Sequence, residues 1–257
     1  TPYYGLGNAS AYDPSLEDPS GADPHYYAFG RLRRIGRVDL QRRLGSGPMR
    51  ALFGLGLSSS EVDPVPRDEG STLYAGETGP EVRSFWTNFV RAGLVWDTRD
   101  RETGPRRGVW SEAIVQWVDE SLGADVGFTR WTLIDRRYFP IRERLVFAHR
   151  WLLQGVSGEA PVEQLQRVET SFREGEGLGG SSSVRGVLKN RYTGKGMLVW
   201  NAELRWRVLD FRLIGRSFHI AASAFLDQGR VWSDGARLDE VLSGLHRGYG
   251  GGLHGGM

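Results

Sequence analysis

Apolar and polar side chains alternate along most of this chain, and the alternation is cleanest over 197–208. Leu198, Trp200, Ala202, Leu204, Trp206 and Val208 occupy the even positions; Met197, Val199, Asn201, Glu203, Arg205 and Arg207 occupy the odd ones. A strand has a period of two, so the sets lie on opposite faces, one apolar throughout and the other charged after Val199. The next segment repeats the pattern, with Phe218, Ile220, Ala222, Ala224 and Leu226 against His219, Ala221, Ser223, Phe225, Asp227 and Gly229. So do Val90, Ala92, Leu94 and Trp96 against Phe89, Arg91, Gly93, Val95 and Asp97, and Leu145, Phe147, His149, Trp151 and Leu153 against Arg144, Val146, Ala148, Arg150, Leu152 and Gln154.

The pattern predicts strands near 28–44, 48–62, 86–98, 108–119, 123–137, 142–155, 195–210, 216–232 and 246–257, with Gly, Pro, Asp and Ser between them. A single short helix is expected in "APVEQLQRVETSF", 160–172. In the less regular strand 28–44, Arg31, Arg33, Arg37 and Arg43 share one face. Strands of soluble sheets run to about five or six residues, whereas tilted membrane-spanning strands need about 9–11. Many of those expected here exceed ten.

Two architectures accommodate the alternation. One is a soluble sandwich or lipocalin-like barrel with the charged face in solvent. The other is a transmembrane barrel with the apolar face in lipid. Strand length favours the second. So do the aromatics near strand ends, Trp86, Trp96, Trp110, Trp117, Tyr138, Trp200 and Trp232, as interfacial girdles require. A mean hydropathy of −0.40 does not argue against it, because a barrel averages lipid-facing and lumen-facing residues. No run approaches the roughly 20 apolar residues of a transmembrane helix. The expected fold is therefore all-β, a transmembrane antiparallel up-and-down β-barrel.

Composition removes several kinds of chemistry. The 257 residues include 36 glycines and no cysteine, which excludes disulfides and thiolate sites. A formal charge of +2 gives no general polyanion signal, and no nucleic-acid partner is expected. Gly-x-Gly recurs at 5–8, 54–57, 175–180 and 248–252, but never between a strand and a helix as a phosphate loop requires. His25, His149, His219, His246 and His254 lack metal-ligand spacing, and "GGSSSV" is not a nucleophile elbow. No catalytic residue, cofactor or metal is expected, and the chain does not read as an enzyme.

One stretch stands out against this background. "GLGGSSSVRGVLKNRY", 178–193, places a single arginine, Arg185, in a glycine-rich and serine-rich loop. If the odd positions of the following strands face a lumen, Glu203 and Asp227 both point inward from consecutive strands. Two confined carboxylates repel, and a guanidinium between them relieves the repulsion. Periodicity alone favours a solvated surface arginine.

The motifs resolve the choice by resemblance. "GGSSSVRG" (179–186), "NAELRW" (201–206) and "FLDQGRVW" (225–232) resemble the C-terminal barrel of the BamA/TamA superfamily of outer-membrane assembly and translocation proteins. "GLVWDTRDRETGPRRGVW" (93–110) and "PYYGLGN" (2–8) are similar to further stretches of that family, in the same order. The resemblance implies a long extracellular loop, 156–194, folded into the lumen. It also implies an anchoring cluster of Val184, Arg185, Gly186, Glu203, Phe225, Asp227 and Gly229. Val187 stands where the family usually has an aromatic.

The implied role is insertion or translocation of proteins at the bacterial outer membrane. The alternative is a passive channel, or a membrane-anchor barrel for a fused periplasmic enzyme. Implied partners are outer-membrane lipid and client outer-membrane proteins. The family barrel has about sixteen strands and about nine are expected here. Thr1 reads as interior sequence, so the remaining strands are expected from the same parent chain or from a partner; POTRA domains upstream would favour the assembly role, and an enzyme domain upstream the anchor role.

Overall fold

The computed structural model describes residues 1–17, 25–65, 71–233 and 241–256. Its core is one antiparallel sheet of ten strands. In chain order these are β1 (Gly30–Arg43), β2 (Met49–Asp63), β3 (Arg83–Trp86), β4 (Phe89–Asp97), β5 (Gly108–Val118), β6 (Phe128–Arg142), β7 (Leu145–Gly158), β10 (Gly196–Leu213), β11 (Arg216–Trp232) and β12 (His246–Gly256). Neighbours pair in sequence order as an up-and-down meander, with β3 extending the pairing of β2. The sheet is not closed, since β1 and β12 do not pair with each other. β8 (Arg167–Val168) and β9 (Gly175–Glu176) form a small hairpin inside the long β7–β10 connection. Met257, the last position of the expected final strand, lies outside the described residues.

Each of the nine expected strands has a counterpart. The largest shift is in β6, which begins at Phe128 after a 3-10 turn at Glu120–Leu122 capped by Asp119. The expected helix over 160–172 is reduced to one turn, α2 (Val162–Leu165). Strand side chains take over the backbone there. Arg130 donates to the Gln164 carbonyl at 2.6 Å, and Gln154 Nε2 donates to the Arg167 carbonyl at 2.7 Å. A second short helix, α1 (Leu73–Thr78), is capped by Thr72 Oγ1, which accepts from the Ala75 N–H at 3.0 Å.

The two faces separate as the alternation requires. On β2, Leu52, Ser58, Ser60 and Val62 are buried, whereas Phe53, Leu55 and Leu57 are exposed. The same holds for Arg91 and Val95 against Leu94 and Trp96, and for Ile114 and Gln116 against Val115 and Trp117. On β10, Leu204 and Trp206 face outward. A bulge between Arg207 and Leu209 then shifts the register, so Val208 and Leu209 are both exposed. Trp86, Trp96 and Trp117 sit on the outer face, as expected. Trp110 does not. It is on the inner face, with the Arg99 guanidinium 3.9 Å above its ring. Tyr138 likewise lines an inner cavity.

The β7–β10 connection packs against the inner face at the end where β7 stops and β10 begins. Val168, Leu178 and Val184 of that segment pack with Ile134, Leu152, Met197 and Val199 of the strands. Leu165 joins Phe89, Val118, Phe128 and Val156. Fully burying one such side chain contributes about 1.5–3 kcal/mol. The segment before β1 lies against the same loop: the Gly7 N–H donates to the Thr193 carbonyl at 2.7 Å, and Gln166 Nε2 donates to the Pro2 carbonyl at 3.1 Å.

Candidate functional site: a loop pinned against the inner wall

Residues 178–187 fold back on themselves before reaching the wall. Gly179, at φ 105°, lies so close to the Leu188 carbonyl that a Cβ would fall 1.9 Å from it. Ser183 Oγ accepts from the Gly179 N–H at 2.8 Å and donates to the Gly177 carbonyl at 2.9 Å. This compact turn presents Val184 and Arg185. Val184 is fully buried. It lies over Gly229, where a Cβ would meet Leu178 Cδ1 at 2.6 Å and Val184 Cγ2 at 3.0 Å. Gly186 adopts φ 86°, a left-handed conformation that glycine takes without strain.

Arg185 reaches both carboxylates. Its Nε and Nη2 donate to Asp227 at 2.7 and 2.9 Å, and its backbone N–H donates to Asp227 Oδ2 at 3.0 Å. Nη1 donates to Glu203 Oε2 at 2.6 Å. The guanidinium carbon lies 3.6 Å from the centre of the Phe225 ring, within cation–π range. The Asp227 side chain is fully buried, whereas that of Arg185 is 28% exposed. Hydrogen bonds to Asp227 raise the Arg185 pKa, burial opposes them, and the bond to Glu203 adds to the rise. The structure thus brings Val184, Arg185, Gly186, Glu203, Phe225, Asp227 and Gly229 together.

Further wall residues hold the same turn. Arg150 Nη2 donates to the Ser182 carbonyl and Asn201 Nδ2 to that of Ser183, each at 2.6 Å. Gly248 of β12 admits the loop backbone, since a Cβ there would fall 1.7 Å from the Arg185 carbonyl oxygen. A cavity of about 310 Å³ lies beside the tip, lined in part by Arg136, Tyr138, Arg150 and Glu203.

A second cluster pins residues 163–176 and was not singled out from the sequence. Arg91 is fully buried. Its Nε and Nη2 donate to Asp39 at 2.8 and 2.6 Å, and its Nη1 donates to the Thr170 carbonyl at 2.8 Å and to Glu169. Gly54 makes room, since a Cβ there would lie 2.2 Å from Asp39 Oδ1. Glu174 pairs with Arg33 at 2.7 Å and with Arg167. Glu112 accepts from the Ser171 N–H at 2.9 Å. Arg31 and Arg37 donate to the carbonyls of Glu163 and Phe172, so three of the four β1 arginines at odd positions reach the loop. Arg43, at the far end of that strand, is exposed.

The loop carboxylates respond to this setting. Burial pushes Glu174 up, but Arg167 and Arg33 outweigh it and hold its pKa at about 2. Burial raises Glu163 above the usual carboxylate range, against its hydrogen bond from Tyr74. The signal for the second cluster was inward parity, with Arg91, Glu112, Arg130 and Gln154 all on the buried face. Their loop partners follow only from the fold.

The comparisons agree with this architecture. An Omp85 superfamily domain matches residues 15–254. No curated protein matches the chain in sequence. Among solved structures, BamA from Haemophilus ducreyi lacking POTRA domains 1–3 aligns with a TM-score of 0.64 and 14% identity, over 88% of this chain and 48% of that one. The chain thus spans about half the length of that structure. The motifs, the meander and the family match together establish that this chain belongs to the Omp85 superfamily and forms part of an outer-membrane β-barrel.

Proposed function

We propose that this barrel inserts or translocates other proteins at the outer membrane, with residues 156–194 as an extracellular loop folded into its lumen. The observation that carries this reading is the pinned loop. A passive pore leaves its lumen open, whereas here a folded-in segment covers part of the inner wall and is held by two separate ion-pair clusters. Family membership supports the same role. The wall supplies a rigid frame and the loop a fixed inner surface. No bond-making step is assigned to any residue.

The test uses the complete natural protein, reconstituted in liposomes. It is expected to accelerate folding of an outer-membrane barrel client, read as heat-modifiable migration of that client on gels. Arg185→Ala is expected to slow that folding while the barrel itself remains folded. A complete protein that conducts ions freely and accelerates no client would overturn the proposal in favour of a passive channel.

A further inference from the structure

The wall carries a second feature, at the end opposite the folded-in loop. That end bears the tight turns at 143–144 and 214–215 and the β4–β5 connection, 98–107. A cavity of about 900 Å³ opens there on the inner face. Arg101, Arg106, Arg144, Arg205, Arg207 and Arg212 line it, and Asp210 is the one carboxylate among its described lining residues.

The charges do not cancel. Asp210 is shared between Arg207 at 3.1 Å and Arg144 at 3.6 Å. Arg205 leans on Glu203, which also holds Arg185. Arg101 lies 3.5 Å from Asp100. Neither Arg106 nor Arg212 has an ion pair among the described residues. The β4–β5 connection is itself well ordered. Asp100 accepts from the Arg106 and Arg107 N–H groups at 2.9 and 3.3 Å, and Asp97 holds Arg99 against Trp110. Two arginines are therefore presented from a fixed loop, across the cavity from β10.

From this we infer that the cavity binds acidic polypeptide segments in extended form. Two observations favour polypeptide carboxylates. First, the same wall already grips such groups from the loop: Arg91 and Arg33 hold Glu169 and Glu174. Second, Arg205 and Arg207 are alternate residues of one strand, so they are spaced by about 6.6 Å, the repeat of side chains along an extended chain. Planar guanidinium groups match carboxylates bidentately. The inference names a substrate feature for the proposed role and rests on that role only in taking polypeptide as the cargo.

The test is a fluorescence-anisotropy titration of the complete natural protein in detergent micelles. The probe is a labelled peptide of alternating Asp and Ser, compared with an Asn/Ser peptide and with tripolyphosphate as competitor. The Asp/Ser peptide is expected to bind, and to weaken about tenfold when salt rises from about 50 to about 300 mM. Arg207→Gln combined with Arg212→Gln is expected to weaken it about tenfold again. Arg106→Gln, on a loop outside the sheet, is expected to weaken it without any risk to folding. Arg137→Gln, on the outer face, is expected to change nothing. Equal binding of the Asn/Ser peptide, or indifference to both Arg106→Gln and the β10 pair, would overturn the inference. Tripolyphosphate binding without peptide binding would overturn it too, and would make the cavity a phosphate site. None of these failures touches the client-folding reading, which is measured separately.

Discussion

Replacing Arg91 with Leu removes the cation at the centre of the loop's second anchor. Its side chain is fully buried, and Glu169 beside it is 1% exposed. Asp39 keeps Arg37 at 3.0 Å, and Glu169 keeps the same Arg37 at 3.5 Å. One cation then serves two carboxylates, one of them out of water. Removing one partner of a fully buried pair costs about 3–5 kcal/mol. Because Arg37 remains, the low end applies, about 3 kcal/mol, or roughly a hundredfold in an opening equilibrium. Hydrogen exchange in the complete protein reads this directly. Amides of 167–172 should exchange about a hundredfold faster, whereas those of 179–187, held by Arg185, should change little. Adding Glu169→Gln should recover part of the loss, since it removes the stranded charge. If exchange accelerates equally across both segments, or if Glu169→Gln makes matters worse, the two-anchor reasoning is refuted.

Three further outcomes are expected. Leu204→Arg places a charge on the outer face and should cost about 2–4 kcal/mol near the bilayer midplane, so it should reduce folded barrel in the complete protein far more than Arg205→Leu does; equal effects would contradict the facing. These 257 residues alone should give no heat-modifiable species in detergent, because the unpaired edges of β1 and β12 leave backbone groups unsatisfied in an apolar phase; a compact heat-modifiable band would contradict this. Loop docking should also weaken in acid. The Glu174 pKa is held at about 2, below its ordinary 4.5, so its contribution is complete above pH 4.5 and is lost as pH falls from there toward 2; exchange of 173–176 measured across that range should lose this dependence in Glu174→Gln, while Glu163, shifted the other way, acts with opposite sign.

The strands were legible because burial on one face writes a period of two into the sequence, and Glu203 and Asp227 were placed inward by that parity alone. Their meeting with Arg185 was suggested by parity and made specific by the motif resemblance. What escaped depends on three-dimensional closure. The bulge after Arg207 leaves no mark in composition, yet it turns Leu209 outward beside Val208. The helix expected over 160–172 had suitable spacing, but Arg130 and Gln154 claim its carbonyls. Trp110 resembled a girdle residue because position near a strand end does not reveal which face it occupies. Arg91 was visible as an inward cation, but Asp39 meets it only because the register sets both opposite Gly54, and Glu169 arrives on the loop.

The pinning of the loop by Arg185 is tested most directly by labelling kinetics. Val184 is fully buried beneath the cluster, so Val184→Cys in the complete protein reports loop release through its reaction with a maleimide. Four backgrounds complete a cycle: unaltered, Arg185→Ala, Asp227→Ala and both together. Slow labelling is predicted in the first. Acceleration of at least about tenfold is predicted in each single variant, with the double variant little faster than either, because both remove one shared interaction. Rapid labelling of the unaltered background, or accelerations that multiply in the double variant, would contradict the account.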